Sequence, residues 1–406
     1  MDYSEARISI RTEWDAQHLI RVAKIHTSNC SFQNGNKMKK HLLTTSLFTA
    51  AAAISAVASY STYAAEIGSL EAVTQFNDYR GAGVTVTPEG RLVVSMHPLD
   101  NPKYRVVEVM ANGTKRPFPT MDWSDGPEVG DVGLSAVIGV HSDSKGTVWM
   151  LDMGSETSPA QLVSWDTSKN KLSNQITINS SALRDNSFLQ DFAIDEKHAK
   201  IYIADMTFGN FIGATNPAIV VVDLKTGQST RVLENAPQLM PEDRDIVIEA
   251  SLLASKTEQG ATNHLRFGLN PIAIDDNNEW LYFGAFTGTK IYRVPTSVLE
   301  NAKNTDSKLQ NKIEVYGPKR PSDGIAYAPE GGILATDLEH SGVGLVTKGK
   351  YQTLIQDKKL SWPDSMAVSG DYIYVTQDQL HQHPAFSQGL GNAKAPYTLY
   401  RFKYQP

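Results

Sequence analysis

The sequence predicts an all-β fold, a six-bladed β-propeller whose blades are four-stranded antiparallel sheets. The main observation is a unit of a short apolar strand, a polar turn and a second apolar strand, which occurs six times. The copies lie at residues 83–95, 138–152, 192–205, 272–285, 325–337 and 366–378. Equivalent positions are spaced by 54, 54, 80, 53 and 41 residues. Repeats of about 40–50 residues are typical of propeller blades.

The composition of the copies supports this fold. Their strands are rich in Val, Ile, Tyr and Trp, and their turns in Gly, Pro, Asp and Asn, which favour strands and tight turns respectively. Most copies are followed by a second strand pair, as at residues 218–233, which gives four strands per blade. A β-sandwich is the alternative, but six copies of one motif favour the propeller. A strand within residues 67–76 would close the ring against the final strand at 398–404.

The spacing of 80 residues between the third and fourth copies indicates an insertion at residues 233–267. The insertion contains the charged run PEDRDIVIEA at 241–250 and ends in a polar stretch with Asn263 and His264. We expect an outer strand pair and a long loop over one face of the ring. Long loops on a rigid scaffold often carry function.

The N-terminal residues are expected to lie outside the fold. Residues 38–65 combine a basic start, an apolar run at 42–58 and small residues at the end, which is typical of a secretory signal peptide. A membrane anchor is the alternative, although the run is at the short limit for a span. We interpret residues 1–37 as a non-native upstream extension and 66–406 as the propeller. The sequence thus predicts a secreted protein, periplasmic or extracellular, with no stable membrane span after signal cleavage.

Charge and cysteine content exclude some function classes. The chain has 406 residues and a formal net charge of -6, so it lacks the basic surface that nucleic-acid binding needs. The single cysteine, Cys30, lies upstream of the signal. The mature chain would therefore have no disulfide, thiolate metal site or cysteine nucleophile. We expect a monomer that is stabilised by its core and binds a small molecule.

Candidate site residues follow from propeller geometry, in which the start of the first strand and the end of the second lie on one face. Acidic and amide residues occupy both places. The residues just before the first strands are Gln190, Asp191, Asn270, Asp323 and Asp364. The residues at the ends of the second strands are Asp152, Asp205, Asp337 and Asp378, and His97 lies beside the equivalent position of the first blade. Converging carboxylates need a cation, a cationic ligand or raised pKa values. We interpret Asp152, Asp205 and Asp337 as turn caps. The predicted ligand-binding residues are Gln190, Asn270, Asp323, Asp364 and His97.

Four segments carry a family resemblance. Residues 188–205, 266–295, 319–343 and 360–382 resemble blades of bacterial members of the major royal jelly protein/yellow family. The resemblance extends over about residues 70–404 and implies a six-bladed propeller. It also implies either a ligand site at the channel mouth, where some members bind biogenic amines, or a relation to dopachrome tautomerase.

The chain is also distantly similar to gluconolactonase/regucalcin-like propellers. There, an Asn and an Asp at inner-strand starts hold a divalent cation, and Asn270 and Asp323 fall on that pattern. Asp364 is a further metal candidate, and calcium or another divalent cation is the implied cofactor. The cation would polarise a lactone carbonyl while Asp191, the predicted catalytic base, activates water. Ala136 and Val137 in the second blade depart from the pattern.

Two function hypotheses follow. The first is a propeller that binds a small cationic or aromatic ligand at the central channel mouth. The second is a metal-assisted enzyme, either a lactone hydrolase or a dopachrome-tautomerase-like isomerase. The sequence contains no GxSxG, HExxH or Walker motif, and its metal-ligand set is incomplete. We therefore favour the binding hypothesis.

Overall fold

The computed structural model describes residues 69–209, 211, 213–257, 259–299 and 306–404. The predicted signal peptide at 38–65 and the upstream extension at 1–37 lie outside these residues. Within the described part of the chain, no helix is both long and apolar enough to cross a membrane.

Six antiparallel sheets of four strands form the blades, which confirms the predicted fold. The first strand of the chain, β1 (Glu71–Phe76), belongs to blade 6. Blade 1 contains β2 (Gly81–Val86), β3 (Leu92–Met96), β4 (Val106–Val109) and β5 (Lys115–Pro117). Blade 2 contains β6 (Val137–Ser142), β7 (Thr147–Asp152), β8 (Gln161–Asp166) and β9 (Lys171–Thr177). Blade 3 contains β10 (Leu189–Asp195), β11 (Lys200–Asp205), β12 (Ala218–Asp223) and β13 (Ser229–Val232).

The insertion separates blade 3 from the later blades. It forms two hairpins, β14 (Val247–Ile248) with β15 (Ser251–Leu252), and β16 (Ala254–Lys256) with β17 (Thr262–His264). Blade 4 contains β18 (Leu269–Ile274), β19 (Trp280–Ala285), β20 (Lys290–Pro295) and β21 (Glu314–Pro318). Blade 5 contains β22 (Ile325–Tyr327), β23 (Ile333–Asp337), β24 (Gly342–Thr347) and β25 (Lys350–Gln356). Blade 6 contains β26 (Pro363–Ser369), β27 (Tyr372–Gln377), β28 (Tyr397–Lys403) and β1.

Helices are short and connect strands. The α-helical turns are Met121–Ser124, Thr296–Leu299 and Asp306–Gln310. The 3₁₀ turns are Pro98–Asp100, Ser180–Ala182 and Leu380–Gln382.

The first and last strands of the described residues close the ring. β1 pairs antiparallel with β28, with Phe76 opposite Tyr397 and Glu71 opposite Arg401. The strand predicted within 67–76 therefore pairs with the C-terminal strand, as expected from the sequence. This pairing makes an N-terminal strand the outermost strand of the last blade, so few strand edges stay exposed.

Within a blade, the strands become more exposed to solvent from the channel outwards. The second strand β11 is buried from Ile201 to Asp205, whereas the outer strand β9 is mostly exposed. A strand that is packed on both faces is apolar along its whole length, which explains why these strands lack strict alternation. The inner strands β2, β6, β10, β18, β22 and β26 contact their neighbours around the channel.

Glycines allow the inner strands to approach closely at two places. A Cβ at Gly83 would lie 2.1 Å from the carbonyl oxygen of Ile138 in the next blade. A Cβ at Gly324 would lie 2.4 Å from the carbonyl oxygen of Asp364. Only glycine fits such contacts. The second contact brings blades 5 and 6 together next to two predicted site residues, Asp323 and Asp364.

The insertion packs over one end of the channel and has two hairpins where we expected one strand pair. Its apolar residues Ile246, Ile248, Leu253 and Leu265 join a buried cluster that includes Trp362 of blade 6. Polar contacts hold its charged run in place. Glu242 contacts Thr289, Arg244 contacts Glu339, and Asp243 and Asp245 both contact Arg266.

Candidate functional site

A cavity with about 550 Å³ of space between protein atoms, including its opening to solvent, lies at one channel mouth. Five of the six blades contribute to its lining. The polar residues lining it are His97, Gln190, Asn270 and Asp323. The apolar residues lining it include Phe188, Met206, Phe208, Phe267, Phe286, Trp362 and Phe386. We call this space the mouth cavity.

Asp323 is the centre of the polar floor. The side-chain amide of Asn270 donates to one carboxyl oxygen of Asp323 at 2.7 Å, and the indole N–H of Trp362 donates to the other at 2.7 Å. Gln190 approaches the first oxygen at 3.5 Å, too far for a strong hydrogen bond. Burial raises the pKa of Asp323 well above its usual range, and the nearby Asp364 raises it further. All the side-chain donors to Asp323 are neutral.

Asn270 has a free acceptor at this floor. Its side chain is 2% exposed, and its carbonyl oxygen Oδ1 has no hydrogen-bond partner among the described residues. Buried polar atoms are nearly always paired. An unpaired buried acceptor that lines a cavity therefore indicates a place for a donor from a ligand.

Asp364 and Asp378 form a buried acidic pair with His97 beside it. One possible ligand atom from each of the three residues lies within 4.8 Å of the others. Ser365 donates to Oδ1 of Asp364, and the backbone of Leu380 donates to Oδ1 of Asp378. Neither Oδ2 has a donor from another described residue. The two carboxyl groups are close enough to hydrogen-bond to each other when one is protonated.

Burial sets the protonation of this cluster. It raises the pKa of Asp364 to about 6 and that of Asp378 well above its usual range. Burial, assisted by Arg80, lowers the pKa of His97 well below its usual range. His97 is therefore neutral near pH 7. Its Nδ1 accepts from the backbone N–H of Leu99 at 3.1 Å, so the ring proton lies on Nε2.

The aromatic walls come from loops and strand ends that are far apart in the sequence. Phe208 stacks on Phe188 at 4.4 Å and on Phe267 at 5.2 Å between ring centroids. Phe386 packs edge-on against Phe208 and stacks on Trp362. The insertion supplies Phe267 and the residues that support it. The cavity therefore offers flat apolar surfaces above an acidic floor.

Asp191, the predicted base, lies elsewhere. Its carboxylate contacts Nε2 of His141 at 2.7 Å, and both residues line a smaller cavity of about 240 Å³ with Gly324 and Ser365. Gln190 lines the mouth cavity, whereas Asp191 lines the smaller one, and the pairing of β10 shifts register between Leu189 and Asp191. Its catalytic role stays a prediction, and the structure does not place it beside Asn270 and Asp323 in the mouth cavity.

The carboxylates interpreted as turn caps have that role in the structure. Asp152 accepts from the backbone N–H groups of Ser135, Ala136 and Gly154. Asp205 accepts from the backbone of Phe188 and Thr207 and pairs with Arg231, and Asp337 accepts from the backbone and ring of His340. These donors hold the loops at the rim of the ring.

Sequence reasoning missed several residues of the site. The aromatic walls gave no local signal, since their members come together only in the fold. Arg80 was also missed. Its side chain donates to the backbone oxygen of Asp378 at 3.0 Å and to Asp100 at 2.8 Å, and so fixes the loop below the acidic pair.

The fold and the cavity define a six-bladed β-propeller with an aromatic-lined cavity at one channel mouth. The sequence model of the major royal jelly protein family matches residues 135–395. The chain therefore belongs to the major royal jelly protein family.

Solved structures show the same fold. The chain is similar to a putative gluconolactonase with 12% identity and a TM-score of 0.51, covering 84% of this chain and 92% of that one. It is similar to a luciferin-regenerating enzyme with 13% identity and a TM-score of 0.50, covering 83% and 95%. The calcium-binding protein regucalcin from Agrobacterium tumefaciens has 16% identity and a TM-score of 0.49, covering 83% and 96%. A search of curated proteins gave no match.

Proposed function

We propose that the protein binds a small aromatic ligand with a cationic amino group in the mouth cavity. The observation that carries this proposal is the environment of Asp323. Its carboxyl group is buried on the cavity floor, and no Lys, Arg or His nitrogen of the described residues lies within 4 Å of it. Burial favours the neutral form of such a group, and its ionised form is stable only beside a countercharge. A cationic ligand would supply it.

The acceptors on the floor match an ammonium group. An ammonium has three N–H donors. Asp323 offers a carboxylate, and Asn270 offers the unpaired Oδ1 beside it. Charge-assisted hydrogen bonds to a carboxylate are about twice as strong as neutral ones, so this pair would orient the amino end of the ligand.

The walls match an aromatic ring. Phe188, Phe208 and Phe267 stack on one another and line the cavity, and Trp362 places its indole next to Asp323. Offset stacking of aromatic rings contributes about 0.5–1.5 kcal/mol per pair beyond burial of area.

Calorimetric titration with matched pairs of ligands tests this proposal. Each pair consists of an aromatic amine and its neutral analogue without the amino group, for example a catecholamine and the corresponding alkyl catechol. The amine is expected to bind the wild-type protein at least about tenfold more tightly, and Asp323→Asn is expected to remove the difference. Asp131→Asn, at an exposed position outside the cavity, is the matched control. Equal affinity for amine and analogue would contradict the proposal.

A second candidate function is the metal-assisted enzyme, either a lactone hydrolase or a dopachrome-tautomerase-like isomerase. It is favoured by the buried oxygens without donors, Oδ1 of Asn270 and Oδ2 of Asp364. Together with the carboxyl group of Asp323 they are oxygen donors of the kind that calcium prefers. A bound cation would supply Lewis-acid polarisation of a carbonyl. His97 does not fit as a ligand in this arrangement, because Leu99 occupies Nδ1 and Nε2 carries the proton.

Metal analysis separates the two candidates. A stoichiometric ion, with a melting temperature that falls in chelator and falls again in Asp323→Ala, would favour the enzyme, and lactones would be the first substrates. No ion and no chelator effect would favour the amine-binding function.

We also propose that the mature protein is exported to the periplasm or beyond and acts as a monomer. Support for export comes from the sequence pattern at residues 38–65. N-terminal sequencing of the protein from its native cells is expected to give a start near residue 66. A start at residue 1 or 38 would contradict export by cleavage, and a dimer in light scattering would contradict the monomer.

A further inference from the structure

A second cavity, with about 500 Å³ of space between protein atoms, lies where the insertion meets blades 4 and 5. Its lining includes Arg244, Thr289, Lys319, Arg320, Glu339 and Tyr351. We call it the lysine cavity. None of its lining residues belongs to the mouth cavity.

Lys319 is the unusual residue of this cavity. Its side chain is buried, with 4% exposure, and Nζ donates to the backbone oxygens of Gly288 at 2.8 Å and Arg320 at 3.1 Å. No carboxylate oxygen of the described residues lies within 4 Å of Nζ. A Cβ at Gly284 would lie 2.9 Å from Cε of Lys319, so glycine at this position in β19 leaves room for the lysine stem.

The contacts of Nζ fit a neutral amine. A neutral amine has two N–H donors and a lone pair, whereas an ammonium has three donors. Two carbonyl oxygens satisfy both donors of the neutral form, and in the described part of the chain no third acceptor is present for the charged form. A buried ammonium without a carboxylate partner is also costly.

The electrostatic environment agrees with this geometry. Burial, with a smaller contribution from the Arg244 guanidinium, lowers the pKa of Lys319 to about 7. The carboxylates of Glu242, Asp323 and Asp337 act in the opposite direction but do not outweigh burial. A substantial share of the Lys319 side chains is therefore unprotonated at neutral pH, and an unprotonated amine is a nucleophile.

We propose that Lys319 is a reactive amine that forms an imine with a small carbonyl compound bearing a carboxylate, bound in the lysine cavity. The lone pair of Nζ attacks the carbonyl carbon, and one proton moves from nitrogen to the former carbonyl oxygen. The resulting carbinolamine loses its hydroxyl group and the second nitrogen proton as water. The product is a C=N bond, and no oxidant or reductant is needed.

Two arginines of the lysine cavity, Arg244 and Arg320, favour a ligand that carries a negative charge. Arg244 contacts Glu339 only through Nη2, at 2.9 and 3.1 Å. Arg320 approaches Asp337 through Nε at 3.4 Å, and its side chain is 46% exposed. Each guanidinium keeps further N–H groups in a geometry that suits a carboxylate. A carboxylate held by these groups would leave the neighbouring carbonyl within the same cavity as Lys319.

Reductive trapping tests the reaction on the intact protein. The wild-type chain is incubated at pH 7 with glyoxylate and cyanoborohydride, and modification is read by peptide mass mapping. Lys319 is expected to acquire the carboxymethyl group at least about tenfold faster than the exposed Lys145 and Lys348, because burial shifts the Lys319 amine towards its unprotonated, nucleophilic form. Modification of Lys319 at or below the rate of those two lysines, or only after unfolding, would overturn the proposal.

Two variants and a second aldehyde test the anionic ligand class. Arg320→Gln is expected to slow modification of Lys319 by glyoxylate several-fold and to leave its modification by the neutral glycolaldehyde unchanged. Equal slowing with both aldehydes would contradict carboxylate recognition. Lys319→Met, which keeps an apolar stem, is expected to lose only the peptide adduct at position 319. Since wild-type modification is read residue by residue, the test does not depend on the folding of this variant.

Discussion

Asp205 and Asp323 are both buried carboxyl residues at the same face of the ring, yet their partners differ. Asp205 ends the second strand of blade 3 and accepts from the backbone N–H groups of Phe188 and Thr207. It also pairs with Arg231 at 2.6 Å. Asp323 precedes the inner strand of blade 5, and its side-chain donors are neutral groups that line a cavity.

The difference separates a structural carboxylate from one that is available to a ligand. Asp205 has its countercharge within the protein, and its backbone donors fix a loop. Asp323 has no cation within 4 Å among the described residues, and burial raises its pKa well above the usual range. Residue type, burial and face of the ring are the same in both cases. The countercharge and the neighbouring cavity make the distinction, and the following predictions test it.

The largest expected effect is on stability in Asp205→Asn. The substitution leaves Arg231, whose side chain is 5% exposed, without its closest carboxylate. Breaking a buried ion pair costs about 3–5 kcal/mol. We expect the lower end of that range, since Glu234 still contacts Arg231 at 3.0 Å. Denaturant unfolding measures the change, and a loss below about 1 kcal/mol would show that Asp205 is not a structural anchor.

The second largest effect is expected in Asp364→Asn, where the pH dependence of the free energy of unfolding should change. The pKa of Asp364 is about 6 in the folded protein and 3.8 in the unfolded chain, so the folded state binds more protons between these values. Wild-type stability therefore falls as pH rises from about 4 through 6, by ~3 kcal/mol for a shift of this size. In the variant, most of this pH-dependent decrease in stability is expected to be absent, including the part that arises from coupling to Asp378. Unfolding curves at pH 4, 5, 6 and 7 measure it, and identical pH profiles would refute it.

A smaller free-energy change is expected for ligand binding in Asp323→Asn. Loss of a charged hydrogen-bond partner costs about 1.5–3 kcal/mol, which corresponds to about a 10- to 100-fold weaker affinity for an aromatic amine. The neutral analogue should lose much less. Calorimetric titration measures both, and a parallel loss for amine and analogue would indicate general damage to the cavity.

The smallest effect is expected for Gln190→Leu. Gln190 lines the mouth cavity but approaches Asp323 only at 3.5 Å, so its contribution to the polar floor is weak. Affinity for the amine should change by about threefold or less. A tenfold loss in the same titration would mean that Gln190 contacts the ligand directly.

The fold could be predicted from the sequence because each blade is a local unit. The copies at 138–152 and 272–285 correspond to β6–β7 and β18–β19, and the spacing between copies gives the blade number. The insertion was predicted in position but not in structure. Its two hairpins depend on packing against Trp362 and Phe386, which are distant in sequence.

The candidate site could be predicted only in part. Strand-start positions locate Asn270 and Asp323, which line the mouth cavity. The same rule cannot tell which of two successive residues faces the cavity, and so it gave Gln190 and Asp191 equal weight. The burial of Lys319 was not predictable, because it requires Gly284 on a neighbouring strand and Gly288 beyond it.

The most direct test is the gain in unfolding free energy caused by a saturating aromatic amine. A ligand at 100 times its Kd adds about 2.7 kcal/mol to a protein that binds it. Asp205→Asn is expected to start well below the wild type and to gain this full increment. Asp323→Asn is expected to start closer to the wild type and, at the same ligand concentration, to gain only about 0.4–1.4 kcal/mol, since the ligand is then at about 1 to 10 times its weakened Kd. A full gain in Asp323→Asn would contradict the assignment of the mouth cavity to a cationic ligand.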